Sequence, residues 1–135
     1  MSKWATYDDS QFPVVRVKMK GVIRSDKDFT DFINEWLKLY ERNEEFVFYF
    51  DTREVGWVNA KYAYRMSKFI SNLKRRNSKE YLQRSYIVYN SWYIKSLLNF
   101  IFLLQSPVAP VEMITEKEFE RLRSLENQAL LSKNL

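Results

Sequence analysis

The sequence predicts an α/β fold in a single domain covering residues 1–135. We expect a small, mainly parallel sheet of four to five strands in β-α-β-α-β-α-β-α order, with helices packed on the sheet. The central observation is the stretch EFVFYFD at residues 45–51, whose apolar run without a polar gap is typical of a strand covered on both faces. Amphipathic helical patterns flank it, and the alternation of strand and helix continues along the chain. Such alternation implies crossover connections and therefore a mainly parallel sheet.

The first third of the chain predicts two strands and a helix. Residues 1–12 hold Trp4 and Tyr7 and predict a short edge strand or a flexible tail. Residues 13–23 alternate apolar and basic side chains, which predicts a strand with one solvated face. Ser25 with Asp28 resembles a capping box. The helix that follows places one apolar face at Phe29, Phe32, Ile33, Trp36, Leu37 and Tyr40.

The rest of the chain repeats this pattern after the central strand ends at Asp51. Asn59 is a candidate N-cap for a second helix. Residues 86–89 predict a third strand, and Asn90 or Ser91 can cap a third helix at 92–104. Residues 111–114 predict a last strand, and a T-x-x-E capping box at Thr115 opens a terminal helix. Residues 126–135 are expected to fray.

Composition excludes several kinds of chemistry. The chain has no histidine, no cysteine and only two glycines. His-assisted nucleophiles, zinc sites and glycine-rich phosphate loops are therefore not expected, and no cofactor is predicted. The first ten residues show no signal-peptide pattern, and the most apolar window, at 92–104, is shorter than the roughly 20 residues of a membrane span. We therefore expect a cytoplasmic protein without a transmembrane segment.

One candidate polar site lies where the predicted central strand ends. Asp51 and Glu54 follow this strand, and Asn90 and Ser91 close the next one, at the edge of a parallel sheet where ligands tend to bind. The site could serve a hydrolase or lyase. In the alternative interpretation Asp51 bonds nearby backbone N–H groups, with Arg53 as a charge neighbour.

A second candidate surface is basic. Residues 61–84 contain eight basic residues and a single acidic one, Glu80. This segment could bind phosphates or anionic lipid, or it could be a solvated outer face. No RNA-recognition or zinc-finger signature is present, so nucleic acid is not an expected partner. The candidate anion-binding residues are Arg65, Lys68, Lys74, Arg75, Arg76 and Lys79.

The predicted third helix is apolar nearly all round. An outer helix needs about one apolar stripe, so this helix is either fully buried or presents surplus apolar surface to a partner, a second copy or lipid. The sequence alone leaves both alternatives open. The candidate contact residues are Trp92, Tyr93, Leu97, Phe100, Ile101 and Leu104.

Two stretches carry a family resemblance. The run FVFYFDTREVG, a helix, and then YLQRSYIVYNSWYIKSLLNFIFLLQ together resemble the middle of a CRAL-TRIO lipid-binding domain. The element order and the segment PVEMITEKEFERL are also similar to STAS domains, the fold of anti-sigma-factor antagonists. Where regulatory STAS domains carry a phosphorylatable Ser or Thr, this chain has Asn59. The resemblance implies a CRAL-TRIO/STAS-like α/β layout.

These observations lead to three hypotheses on function. The first is a non-enzymatic binding module that acts through a protein partner, self-association or an anionic membrane surface. The second is a small lipid-binding or lipid-transfer protein with an apolar cavity of several hundred Å³ beneath the third helix. The third is a hydrolase or lyase that uses Asp51 and Glu54.

Overall fold

The computed structural model describes residues 3–76 and 79–133 and confirms the predicted α/β class. A five-stranded sheet has the strand order β1-β2-β3-β4-β5. The strands are β1 (Ala5–Gln11), β2 (Val14–Gly21), β3 (Phe46–Val55), β4 (Leu82–Tyr89) and β5 (Val111–Thr115). The helices are α1 (Asp26–Leu39), extended by a 3-10 turn at Tyr40–Arg42, α2 (Ala60–Arg75), α3 (Trp92–Leu104) and α4 (Glu116–Lys133).

Strands that are consecutive in sequence are neighbours in the sheet. β1 pairs antiparallel with β2 at one edge, and the other three pairs are parallel. Right-handed crossovers that all step in the same direction place their helices on the same face of the sheet. In agreement with this rule, Trp36 of α1 packs on Phe48 at 4.8 Å between ring centroids, and Phe69 of α2 contacts Trp36 at 5.2 Å. α3 packs beside α2 on this same face.

The core lies between this face and helices α1–α3. Val15 and Val17 of β2 and Phe46 and Phe48 of β3 are almost completely buried there. Phe48 packs along β3 against Phe50 in a tilted arrangement, with 4.6 Å between their ring centroids. Aromatic side chains bury a large area each and prefer tilted or edge contacts, which explains how so many rings pack in one layer.

The second face of the sheet carries α4 and is less completely buried. Side chains of β3 alternate between buried on the first face and half-buried on the second. One row on the second face runs through Arg16, Tyr49, Tyr86 and Glu112 on β2 to β5. The Tyr49 and Tyr86 rings stack at 4.7 Å, and α4 contacts β4 and β5. The sequence predicts a central strand covered on both faces, but in the structure only the first face of β3 is fully buried, and α4 packs mainly on β4 and β5.

The helix caps agree with the sequence at three of four positions. The side chains of Asn59 and Ser91 accept from backbone N–H groups at 2.9 and 3.1 Å and begin α2 and α3, and Thr115 accepts from Glu118 N at 3.2 Å. The predicted side-chain cap at Ser25 is wrong, because its side chain makes no capping bond. Asp28 instead accepts from the backbone N–H of residue 24 at 3.0 Å.

Two element boundaries differ from the prediction. β3 continues to Val55, so Asp51 lies within the strand and does not end it. β4 begins at Leu82, four residues before its predicted start. α4 continues to Lys133, residues 134–135 lie outside the described part, and the fraying of residues 126–135 stays a prediction. Both strand extensions are rich in charged and polar residues. Charged runs weaken the sequence signal for a strand or helix, but they do not prevent the strand or helix from forming.

Candidate functional site

Helix α3 is two-sided, which answers the question that its composition left open. Ile94 and Ile101 point inward and are 4% and 6% exposed. Trp92 and Leu103 point outward and are 83% and 84% exposed. Among the six predicted contact residues, Trp92, Phe100 and Leu104 are exposed, Tyr93 and Leu97 are half-buried, and Ile101 is buried.

Helices α2 and α3 pack side by side and run in the same direction. Ala63 and Ile70 of α2 form a buried cluster with Ile101 of α3. At one end of the pair the Tyr93 hydroxyl donates to the carbonyl of Val58 and accepts from its backbone N–H at 2.8 Å. This contact fixes the loop carrying Trp57, which is 63% exposed, against the first turn of α3. The outward sides of both helices therefore form one continuous layer.

The outward side of α2 is basic and aromatic. Tyr64 is 55% exposed, and the Lys68 ammonium lies 5.4 Å from its ring centroid. Arg75 follows two turns later on the same side and is exposed. On α3, the exposed Lys95 lies 6.0 Å from the Tyr89 ring. In the described part of the chain no carboxylate forms an ion pair with Lys68, Arg75 or Lys95.

The other predicted anion-binding residues point in different directions. Arg65 pairs with Asp26 at 3.2 Å and stacks over a ring of α1, so its charge is used between α1 and α2. Lys74 bonds Ser106, beyond the end of α3. Arg76 lies over a tyrosine ring at the end of α1, and Lys79 lies 3.8 Å from the Glu45 carboxylate. The six residues thus do not form one face.

We define the α2–α3 outer surface by its exposed members. They are Trp57, Tyr64, Lys68, Arg75, Trp92, Lys95, Phe100, Leu103 and Leu104. Residues 55–111 contain a single carboxylate, Glu80, which accepts from the Tyr40 hydroxyl and from Leu82 N at 2.9 Å, away from this surface. The surface therefore combines apolar and aromatic side chains with positive charge and carries no negative charge.

The carboxylates of Asp51 and Glu54, predicted to lie at the strand end, are both engaged in ion pairs. Arg53 binds Asp51 in a bidentate manner, with both N–O distances 2.9 Å, and its backbone N–H adds a bond of 3.1 Å. Glu54 pairs with Lys18 at 2.7 Å. Ser91 serves as the cap of α3. These contacts agree with the interpretation of Asp51 as a residue that bonds backbone N–H, with Arg53 as its charge neighbour.

The electrostatics of this pair follow from its half-buried position. Burial, the largest single influence, raises the pKa of Asp51, but the hydrogen bonds and charge of Arg53 outweigh it and hold the pKa below its usual range. Arg53 also reaches Glu116 at 3.2 Å and lies over the Phe119 ring at 5.1 Å. The pair therefore anchors the first turns of α4 to the sheet.

An apolar cavity of about 130 Å³ lies between the sheet and helices α1–α3. Its volume is smaller than the several hundred Å³ expected for a lipid carrier. Small-molecule sites usually occupy about 300–1,000 Å³. Of the candidate contact residues on α3, Leu97 and Ile101 line the cavity, whereas Trp92, Phe100 and Leu104 do not. A long-chain lipid does not fit in a cavity of about 130 Å³.

Neither a membrane span nor a metal cluster is found in the described part of the chain. No helix within residues 3–76 and 79–133 has both the length and the hydropathy that crossing a bilayer requires. The same residues contain no group of three or more side chains able to ligate a metal ion.

Comparison with known proteins gives no assignment. No protein family matches the chain, and no curated protein matches it at a significant level. The resemblance to CRAL-TRIO and STAS domains therefore stays a prediction.

Sequence reasoning missed four members of the outer surface, which are Trp57, Tyr64, Lys95 and Leu103. Trp57 lies in the connector between the predicted central strand and the predicted second helix, to which no role was assigned. Tyr64, Lys95 and Leu103 lie within predicted helices but were not among the candidate residues. A helical projection that sets Leu103 opposite Ile101 was the available signal, since these residues are two positions apart and about 200° around the helix.

Proposed function

We propose that this protein is a non-enzymatic binding module that docks on anionic membrane surfaces through the α2–α3 outer surface. The single observation that carries the proposal is the composition of this surface. Exposed Trp and Leu side chains lie beside Lys and Arg residues that form no ion pair within the described residues, and none of the nine residues that define the surface is a carboxylate.

The apolar part of the surface is larger than a solvated helix requires. Trp92 and Leu103 are more than four-fifths exposed, and they lie on the same side of α3 as Phe100 and Leu104. Large exposed apolar patches mark interaction sites. Tryptophan is enriched at the membrane–water interface because its ring is amphipathic, and leucine side chains enter the acyl boundary.

The charge of the surface favours an anionic bilayer over other occupants. Each Lys or Arg held near an anionic leaflet contributes about 1 kcal/mol. Lys68, Arg75 and Lys95 are free of ion pairs within the described residues and flank the apolar stripe. Two copies placed face to face would bring these like charges together, which opposes self-association through this surface. Protein interfaces are, moreover, generally depleted in lysine.

Intrinsic fluorescence offers a direct test, because the four tryptophans divide into two classes. Trp57 and Trp92 are exposed, whereas Trp4 and Trp36 are 8% and 5% exposed. We expect phosphatidylserine-containing vesicles to shift the emission to shorter wavelength and brominated lipids to quench it. Replacing both exposed tryptophans by Phe removes this response and leaves the buried emission unchanged.

Charge reversal provides the matched control. Lys68→Glu combined with Arg75→Glu is expected to abolish vesicle cosedimentation, and the same two changes at Lys38 and Lys117, which are exposed elsewhere, leave it intact. Equal binding to neutral phosphatidylcholine vesicles would refute the electrostatic argument. Absence of vesicle binding together with a dimer in native mass spectrometry would reassign the surface to self-association.

The other two hypotheses receive less support. The cavity is too small for a long-chain lipid, and the carboxylates of Asp51 and Glu54 are both neutralised by a neighbouring cation. Neither observation measures activity. A lipid of several hundred daltons retained in native mass spectrometry would favour the lipid-carrier hypothesis over the binding module.

A further inference from the structure

The apolar cavity is large for a natural protein core. Protein interiors pack as densely as organic crystals, and voids larger than a water molecule are few. This cavity of about 130 Å³ exceeds several-fold the roughly 10–15 Å³ that one water needs. Phe50 and Ile87 form its floor on the sheet, and Ile94, Leu98 and Ile101 form its roof on α3.

The lining does not suit water. A buried water needs two to four polar partners. None of the described residues that line the cavity is charged. The Thr52 hydroxyl, which is part of the lining, already donates to the Val88 carbonyl at 2.7 Å, and the Tyr62 hydroxyl donates to Asp26 at 2.9 Å. The lining also includes the Ser85 hydroxyl and the Trp36 indole, whose buried Nε1–H has no hydrogen-bond partner within the described residues. The remainder of the lining is almost entirely apolar, so the space suits an apolar occupant better than water.

The cavity lies close to the protein surface on one side. Leu97 and Phe102 of α3 and Val108 of the connector before β5 line it and are only half-buried. The connector also holds Pro107 and Ala109 in the lining and contains no regular element. A small displacement between α3 and this connector would open the cavity without breaking a strand pairing.

We propose that this cavity is a binding site for a small, uncharged, apolar molecule of about six to nine non-hydrogen atoms, such as a single aromatic ring. The size follows from comparison with an engineered apolar cavity of about 150 Å³, which stays dry and binds benzene. The absence of charge in the lining selects against carboxylates, phosphates and amines, because a buried unpaired charge is strongly unfavourable. The site is separate from the α2–α3 outer surface, which lies on the opposite side of α3.

The test is a titration of the whole chain with benzene, followed by two-dimensional ¹H–¹⁵N NMR and by thermal unfolding. We expect saturable shifts at the amides of Ile94, Ile101 and Val108, and an increase in melting temperature. Benzene at ten times its Kd raises the folding equilibrium constant about 11-fold. Phenylacetate, which carries a charge on a similar ring, is the matched ligand control and should produce neither effect.

Two variants keep the test decisive. Ala109→Leu places extra carbon atoms in the lining and is expected to weaken benzene binding at least tenfold, while Ile101→Ala enlarges the space and strengthens binding. Leu103→Ala, on the exposed side of the same helix, should match the wild type. If Ile101→Ala binds benzene and the wild type shows no saturable shift up to the solubility limit, the proposal is overturned. This comparison does not require Ala109→Leu to fold. It also uses no vesicles, so its outcome is independent of the proposed membrane binding.

Discussion

The opposed roles of Ile101 and Leu103 make the orientation of α3 measurable. Ile101 is 6% exposed and packs against Ala63 and Ile70 of α2, whereas Leu103 is 84% exposed. Replacing either residue by Ala deletes three carbon atoms from the same helix with little change in helix propensity. Any large difference between the two variants therefore reports burial.

The magnitudes follow from the structure. Three buried carbon groups at about 0.8 kcal/mol each give about 2.4 kcal/mol for Ile101→Ala. The space left by the deleted carbon atoms adds to this value, and beside the existing cavity the neighbouring side chains can do little to fill it. We therefore expect a loss of about 3–4 kcal/mol in the free energy of unfolding. Leu103→Ala leaves the free energy of unfolding within about 0.5 kcal/mol.

Urea unfolding followed by circular dichroism measures both values. The denaturant slope should be the same for the two variants and the wild type, so that the midpoints report stability alone. A loss above about 2 kcal/mol for Leu103→Ala would show that the outer side of α3 is covered in solution. A loss below about 1 kcal/mol for Ile101→Ala would show that α3 does not close the core.

Three further substitutions test single local features. Arg53→Met removes the partner that lowers the pKa of Asp51. A carboxylate with a lowered pKa stabilises the fold at neutral pH, and this stability is lost as the pH falls through the folded-state pKa. The gap in unfolding free energy between wild type and variant should therefore shrink in acid. Asn59→Ala removes the cap of α2 and should cost about 1 kcal/mol in chemical unfolding, while Asn59→Asp retains most of it. Gly21→Ala should cost about 1–2 kcal/mol in thermal or urea unfolding, because the backbone φ of Gly21 is +79°. The added methyl meets no described atom within 4 Å, so the cost comes from the backbone conformation alone.

Each of these expectations has a contrary result. A gap between wild type and Arg53→Met that widens in acid would show that the pair does not control the titration of Asp51. Equal losses for Asn59→Ala and Asn59→Asp would locate the effect outside the cap. Since asparagine tolerates the left-handed region better than alanine, Gly21→Asn should be milder than Gly21→Ala, and the reverse order would contradict the backbone argument.

The elements of this fold were predictable where a period of two or 3.6 residues was complete. β2 alternates buried Val15 and Val17 with basic residues, and α1 carries its apolar residues on one face, so both were found with nearly correct bounds. The end of β3 was missed because Thr52–Val55 mixes charged and apolar residues, although Thr52 is buried and bonded to β4. Whether such a stretch forms a strand depends on its pairing with neighbouring strands and not on its own sequence.

The site was harder to predict for a physical reason. A helix with apolar residues on all sides has no preferred face in its sequence, so the inward direction of Ile94 and the outward direction of Trp92 depend on packing against α2. The division of the basic residues between separate faces also depends on packing that the sequence does not show. Arg65 lies in the charged run, but its partner Asp26 is 39 residues away and is visible only in three dimensions.

The sequential order of the sheet has a consequence for how the chain folds. Val17 pairs with Phe50, and Phe50 pairs with Ile87, so each parallel strand finds its partner one helix away along the chain. No strand has to wait for a distant segment before it pairs. Because short loops close at lower entropic cost, each β-α unit can add to the preceding one as the chain is synthesised, in the manner of a growing solenoid.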